Sequence, residues 1–405
     1  MTAFSTIDMG EVTRLTRAGQ LSEAMALLQG RSVPSSAAPA DDRAAAGTID
    51  MVAPTMSGGA WTAPGIDRTA ADGAASTAKT AFARPGLAET IQTLRERFPK
   101  MGAMPDLGQG IGSARGVTIA VPEGARFEER SFSNEAGSRA YKVYVPSGYR
   151  GQALPVVVML HGCTQNPDDF AAGTRMNDLA EEQTFLVAYP DQPQSANMQK
   201  CWNWFSAADQ QRGRGEPSLI AGIALEVVTE FSADPSRVYA AGLSAGGAAA
   251  AIMAATYPDV FAAVGVHSGL PCGAASDMPS AFAAMNGGGS FKAPQNGPGV
   301  PTIVFHGDAD KTVKPVNGEQ VIALAMPGVS LARTATQGTT EGGMGFTRTV
   351  RTDASGRAML EYWALHGAGH AWSGGSSDGT YTDPRGPDAS REMVRFFMTH
   401  TNRSS

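Results

Sequence analysis

From about Arg126 onward, large apolar residues recur in short dense runs separated by polar, glycine- and proline-bearing turns. Phe127–Ser133 and Arg139–Val145 predict two strands. Pro155–Leu160 is apolar throughout, the pattern of a strand buried on both faces. Further along, strands are predicted at Phe185–Tyr189, Val238–Leu243, Ala262–His267, Thr302–Phe305 and Met359–Ala364. Helices are predicted at Asn177–Gln183, Leu219–Phe231, Ala248–Ala255 and Ser390–Thr399. Strands alternating with helices require crossover connections, and so a mostly parallel central sheet with helices on both faces. Residues 271–300, rich in Gly and Pro, are expected to form a cap or surface loop.

The chain before Arg126 has a different texture. Leu15, Ala18, Leu21, Ala24, Met25 and Leu28 recur at three- and four-residue steps, which predicts an amphipathic helix within residues 1–30, stopped near Gly30. Such a stripe docks either on a neighbouring core or on a hydrophobic surface. Residues 31–83 are Ala, Ser, Thr, Gly, Pro and Asp with few large apolar side chains, so they are expected to form a disordered linker. A helix at Leu87–Phe98 and a loose connection make up 84–120, which leaves 121–402 as the catalytic domain.

Composition narrows the function classes. The formal charge is -6, without a basic stripe, which argues against a nucleic-acid partner. No apolar run approaches the ~18 residues of a transmembrane helix. Asp8 and Glu11 interrupt any secretory leader at the N-terminus, so a cytoplasmic location is expected, with an extracellular one as the alternative. The three cysteines, Cys163, Cys201 and Cys272, are too few and too irregularly spaced for a disulfide scaffold or a structural zinc site.

The decisive segment is Val238-Tyr-Ala-Ala-Gly-Leu-Ser-Ala-Gly-Gly247. It reads strand, Gly242-Leu243-Ser244-Ala245-Gly246, then an Ala-rich helix. A nucleophilic serine on this Gly-x-Ser-x-Gly turn needs strained backbone angles and no side chains at the two glycines. Ser244 is therefore the candidate nucleophile. Its base and acid should follow in the order acid, histidine. Among the five later histidines, His370 lies in the glycine-rich loop after the last strand, while His366 closes the strand itself. Their four-residue spacing suits a metal pair only on a helix, which Gly367 and Gly369 oppose, so neither a metal nor another cofactor is expected.

Thr302-Ile-Val-Phe-His-Gly-Asp308-Ala-Asp310 supplies two carboxylates after a strand. Asp310 lies further into the loop and is favoured as the acid, with Asp308 shaping the turn. The oxyanion donors are expected to be the backbone amides of Ala245 and of Cys163, the latter in the His161-Gly162-Cys163 turn after Leu160.

These residues together resemble the polyhydroxybutyrate depolymerase family of esterases, within the α/β-hydrolase superfamily. The matching stretches are Leu160–Phe170, Cys201–Phe205, Gly242–Gly247, Ser268–Gly273, His306–Asp310 and Gly367–Trp372, and the N-terminal helix is similar to that of intracellular members. The resemblance implies an α/β-hydrolase fold, a Ser244–Asp310–His370 triad and hydrolysis of short-chain poly(3-hydroxyalkanoate) or its oligomers. It also implies that Trp202, Asn203 and Trp204 lie beside the cleft; Trp202, Trp204 and Trp372 are candidates either for gripping substrate or for packing in the core or cap. Feruloyl, acetylxylan and general small-ester esterases share the pattern, and a granule-binding protein with a vestigial site is the reading of another class. Cys163 and Cys201 fall in loops near the site, as a bridge or as two thiols. The expected partner is a polyester granule or a small ester, and the sequence leaves the oligomeric state open.

Overall fold

In the computed structural model of this chain, residues 119–287, 289 and 299–402 are described. The expected N-terminal helix, the linker and the second helix lie outside them. Val156–Leu160 (β3) is buried at every position. Val156, Val158 and Leu160 enter one hydrophobic core and Val157 and Met159 another, as the two-residue period of a strand requires when both faces are covered.

The same burial marks Leu186–Pro190 (β4), Val238–Leu243 (β5), Ala263–His267 (β6) and Thr302–Gly307 (β7). With Ala358–Leu365 (β10) they form the parallel centre of a ten-stranded sheet. Arg126–Asn134 (β1) and Gly137–Val145 (β2) extend one side, and Ala332–Thr339 (β8) and Gly345–Thr352 (β9) the other, all antiparallel. The strand order is β1-β2-β4-β3-β5-β6-β7-β10-β9-β8.

Pro167–Thr174 (α1), Met176–Gln183 (α2) and Ala389–Phe397 (α7) cover one face through Phe170, Leu179, Met393 and Phe397. Gly215–Glu230 (α3), Ala245–Thr256 (α4) and Val316–Ala325 (α6) cover the other through Ile220, Ala224, Ile252 and Val321. No helix among the described residues is long and apolar enough to cross a membrane.

Several elements were not foreseen, α1 among them. The ribbon β8–β9 escaped because β8 is exposed along nearly its whole length, so no apolar alternation marks it. Helix α6 buries only Val321 and Ile322 among its larger apolar residues. Part of the expected loop at 271–300 is a helix, Met278–Met285 (α5), started by a capping box between Asp277 and Ser280. It buries only Ala281 and Ala284, too weak a stripe to read.

Candidate active site

The loops that follow the six parallel strands leave one edge of the sheet, and every candidate residue lies on them. In an open α/β sheet this carboxyl edge is where ligands bind.

Between β5 and α4, Ser244 takes φ 58° and ψ −117°, an uncommon backbone region for a residue with a side chain. The Ser244 N–H donates to the His267 carbonyl at 2.9 Å, which holds the turn. A Cβ on Gly242 would overlap the Gly246 carbonyl, and one on Gly246 would overlap that of Leu160. These obstacles are backbone and cannot swing away. Gly246→Ala is therefore expected to destabilise the protein by about 3 kcal/mol or more, roughly 10 °C in melting temperature by circular dichroism. An unshifted melt would show that the elbow tolerates a side chain there.

Asp310 and His370 meet across the loops after β7 and β10. His370 Nδ1 lies 2.7 Å from Asp310 Oδ2. The other carboxylate oxygen accepts the Thr312 and Val313 N–H groups, both at 2.9 Å. Burial disfavours the Asp310 charge, but the His370 hydrogen bond and charge, the Val313 amide and nearby His306 outweigh it and hold its pKa below the usual carboxylate value.

Asp308 does more than shape its own turn. It accepts the Gly367 N–H at 2.7 Å and lies 3.1 Å from His366 Nδ1, so each histidine of the His366–His370 pair has its own carboxylate. The Ser244 hydroxyl makes no hydrogen bond among the described residues; in unliganded hydrolases the contact to the base often forms only in the complex.

The loop that carries Cys163, the expected oxyanion donor, is anchored on several sides. Cys163 and Cys201 form a disulfide bridge. Thr164 N–H donates to Gln199 O, and Gly162 N–H to Gln165 Oε1 at 2.9 Å. Among the described residues, the Cys163 and Ala245 amides donate to no protein group and remain available. Cleaving the bridge frees the Cys163 loop on one side, so reduction is expected to lower turnover about tenfold with little change in KM, measured before and after treatment with a phosphine reductant. Unchanged turnover in a fully reduced protein would show that the other anchors suffice.

His161 is buried beneath this loop. Its Nδ1 donates to Gly162 O at 2.7 Å and its Nε2 accepts Gln192 N–H at 3.1 Å. Burial pushes its pKa down to about 4, against the smaller opposing effects of the Gly162 hydrogen bond and the Asp191 charge. His267 is likewise wholly buried, and burial with neighbouring His306 and His370 pushes it down to about 3. A histidine whose folded pKa lies below its unfolded value near 6.5 is protonated first in the unfolded chain. The stability each contributes is thus complete above about pH 6.5. It declines as pH falls toward 4 and 3, by about 1.4 kcal/mol per pH unit for each residue. The melting temperature should drop steadily between pH 6.5 and 4.5; a flat profile there would contradict the buried neutral rings.

The tryptophans do not form a gripping surface. Trp202, Trp204 and Trp372 are buried. Trp202 Nε1–H donates to His161 O at 3.0 Å and Trp372 Nε1–H to Ser390 Oγ at 3.1 Å. Large flat rings with a single donor fill the core beneath the loops better than they face water. Asn203 is engaged too: its N–H and Nδ2 donate to Glu216 at 2.7 and 2.8 Å.

Glu216 and His267 were missed as organisers of the site. Glu216 is a buried acid, its pKa raised by burial and opposed by Asn203, Gln192 and Arg139. The signal for His267 was a polar residue ending an otherwise apolar strand.

A serine on a strand–turn–helix elbow, an Asp–His pair on later loops and a doubly covered parallel sheet define an α/β-hydrolase. The fold matches acetyl xylan esterase from Aspergillus awamori with a TM-score of 0.51 at 21% identity, over 67% of this chain and 99% of that one. Residues 139–340 match the family model described as esterase PHB depolymerase. Through this segment the chain belongs to the polyhydroxybutyrate depolymerase family of esterases.

Poly(3-hydroxyalkanoate) depolymerase C of Paucimonas lemoignei is 35% identical over 267 residues, 63% of this chain and 61% of that protein. Feruloyl esterase B of Neurospora crassa is 34% identical over 178 residues, 43% of this chain and 58% of that protein. The chain thus spans about six-tenths of the length of these relatives.

Proposed function

We propose that the chain is a serine carboxylic-ester hydrolase that cleaves short-chain poly(3-hydroxyalkanoate) or its oligomers. The observation that carries the reading is the 2.7 Å Asp310–His370 hydrogen bond on loops beside the elbow of Ser244. In this reading His370 Nε2 takes the proton as Ser244 Oγ attacks the ester carbonyl. Asp310 receives the Nδ1–H, fixes the tautomer and stabilises the imidazolium. The Cys163 and Ala245 amides stabilise the oxyanion, with the N-terminus of α4 behind it. His370 then protonates the departing alkoxide, and water, deprotonated by His370, releases the acyl group from Ser244.

The family match and the Paucimonas relative support a polyester. The Neurospora relative supports a second reading, a feruloyl-type esterase. The burial of Trp202, Trp204 and Trp372 leaves that reading without an aromatic clamp among these residues. Incubation with amorphous poly(3-hydroxybutyrate) and chromatography of the products separates the two. Release of 3-hydroxybutyrate or its oligomers is expected; release of ferulate from a feruloylated sugar with none from the polymer would decide for the second.

The Cys163–Cys201 bridge favours an oxidising compartment, because such bonds are rare in a reducing cytosol. Thiol titration of the denatured, unreduced protein should find one free cysteine, Cys272; three would return the protein to the cytoplasm. The N-terminal stripe is proposed as a tether to the polymer surface. Deleting residues 1–83 should weaken granule binding and leave soluble-ester turnover intact.

A further inference from the structure

We propose that His267 is a positioning residue that ties the nucleophile elbow to the loop carrying the catalytic base. The inference rests on the reading of Ser244 and His370 as nucleophile and base. His267 ends β6, between the strands that deliver Ser244 and Asp310. Its carbonyl oxygen accepts the Ser244 N–H at 2.9 Å. Its ring Nε2 accepts the N–H of Ser373, three residues beyond His370, at 3.0 Å. One residue thus holds the backbone on which each reactive side chain is mounted.

The ring is fixed for this purpose. It has no solvent exposure and stacks between Trp372, at 5.1 Å between centroids, and Phe305, at 5.8 Å. Trp372 stands next but one to His370, so stacking gives the same loop a second hold. An imidazole that accepts at Nε2 must be neutral with its proton on Nδ1, and Nδ1 lies 3.2 Å from the Ser268 hydroxyl. Burial and the nearby His306 and His370 depress its basicity to a pKa of about 3, so this accepting form persists at neutral and mildly acid pH. A histidine serving only as packing needs no acceptor there. A reactive pair, by contrast, loses much of its rate when displaced by even about 1 Å.

The experiment compares two substitutions. His267→Phe keeps a ring between Trp372 and Phe305 but cannot accept from Ser373. His267→Gln loses the stacking but offers a terminal oxygen to the same N–H. On a chromogenic short-chain ester, His267→Phe is expected to lose about thirtyfold in kcat with KM within twofold, while His267→Gln stays within about threefold of wild type despite melting lower. Activity then follows the acceptor and stability follows the ring. Loss of activity in the order of melting temperature would overturn the proposal.

Ser244→Ala measured alongside separates the two levels of failure. Undiminished turnover in it overturns the serine-hydrolase reading and the His267 role with it; an inactive Ser244→Ala with His267 variants ranked by stability overturns the His267 role alone. Nitrogen NMR of the histidine-labelled wild type needs no folded variant. A neutral ring protonated at Nδ1 is expected, and the opposite tautomer, which cannot accept from Ser373, refutes the link.

Discussion

Ser244→Ala is expected to lower the turnover of a chromogenic short-chain ester by about a millionfold, with the fold and substrate binding intact. The elbow is built from backbone: the Ser244 N–H bond to His267 O and the space left by Gly242 and Gly246 do not involve the hydroxyl. Removing Oγ therefore deletes only the atom that forms the acyl-enzyme. What survives is binding and two unpaired amides, which in serine hydrolases leave a small residue of the rate because the catalytic group acts as a unit. The measurement is kcat on purified wild type and variant, with melting curves to show that both are folded. Equal rates would remove Ser244 from the chemistry and with it every esterase reading of this chain.

Asp310→Asn should lower kcat about ten-thousandfold, whereas Asp308→Asn should stay within about threefold. The two carboxylates stand two residues apart in one loop and each faces a histidine of the same later loop. They differ in burial and in partner. Asp310 is 2% exposed, its second oxygen is held by two amides, and it receives the Nδ1–H of the candidate base. An amide in its place would offer its own N–H to His370 and drive the ring into the wrong tautomer, with Nε2 protonated and unable to take the Ser244 proton. Asp308 and His366 are both about half exposed, so their pairing is screened by water and bears on the loop alone. If the two substitutions exchanged effects, Asp308 would be the acid and the triad would need redrawing.

Much of this was legible because it is local. The elbow is a contiguous five-residue pattern whose chemistry requires two glycines and a serine in fixed order. The buried strands announced themselves by uninterrupted apolar runs, and the choice of His370 over His366 followed from its place in the glycine-rich loop after the last strand. The ribbon β8–β9 and the weakly buried α5 and α6 left no such periodicity. The tryptophans could be read either as a surface for substrate or as core packing, and the local pattern does not choose between them. In the folded protein the loops turn back on the sheet and the rings fill the space beneath them.

The sequence by itself determined the class of chemistry: nucleophile, acid and base are side-chain types spaced along the chain in the order their strands require, and the apolar runs dictate a sheet covered on both faces. Only the tertiary structure decided how those parts are held. The Cys163–Cys201 bridge and the ring of His267 under Ser373 both join loops that follow different strands. Such contacts depend on which loops the strand order β4-β3-β5-β6-β7-β10 brings to one edge, and no local pattern encodes a distance across a sheet.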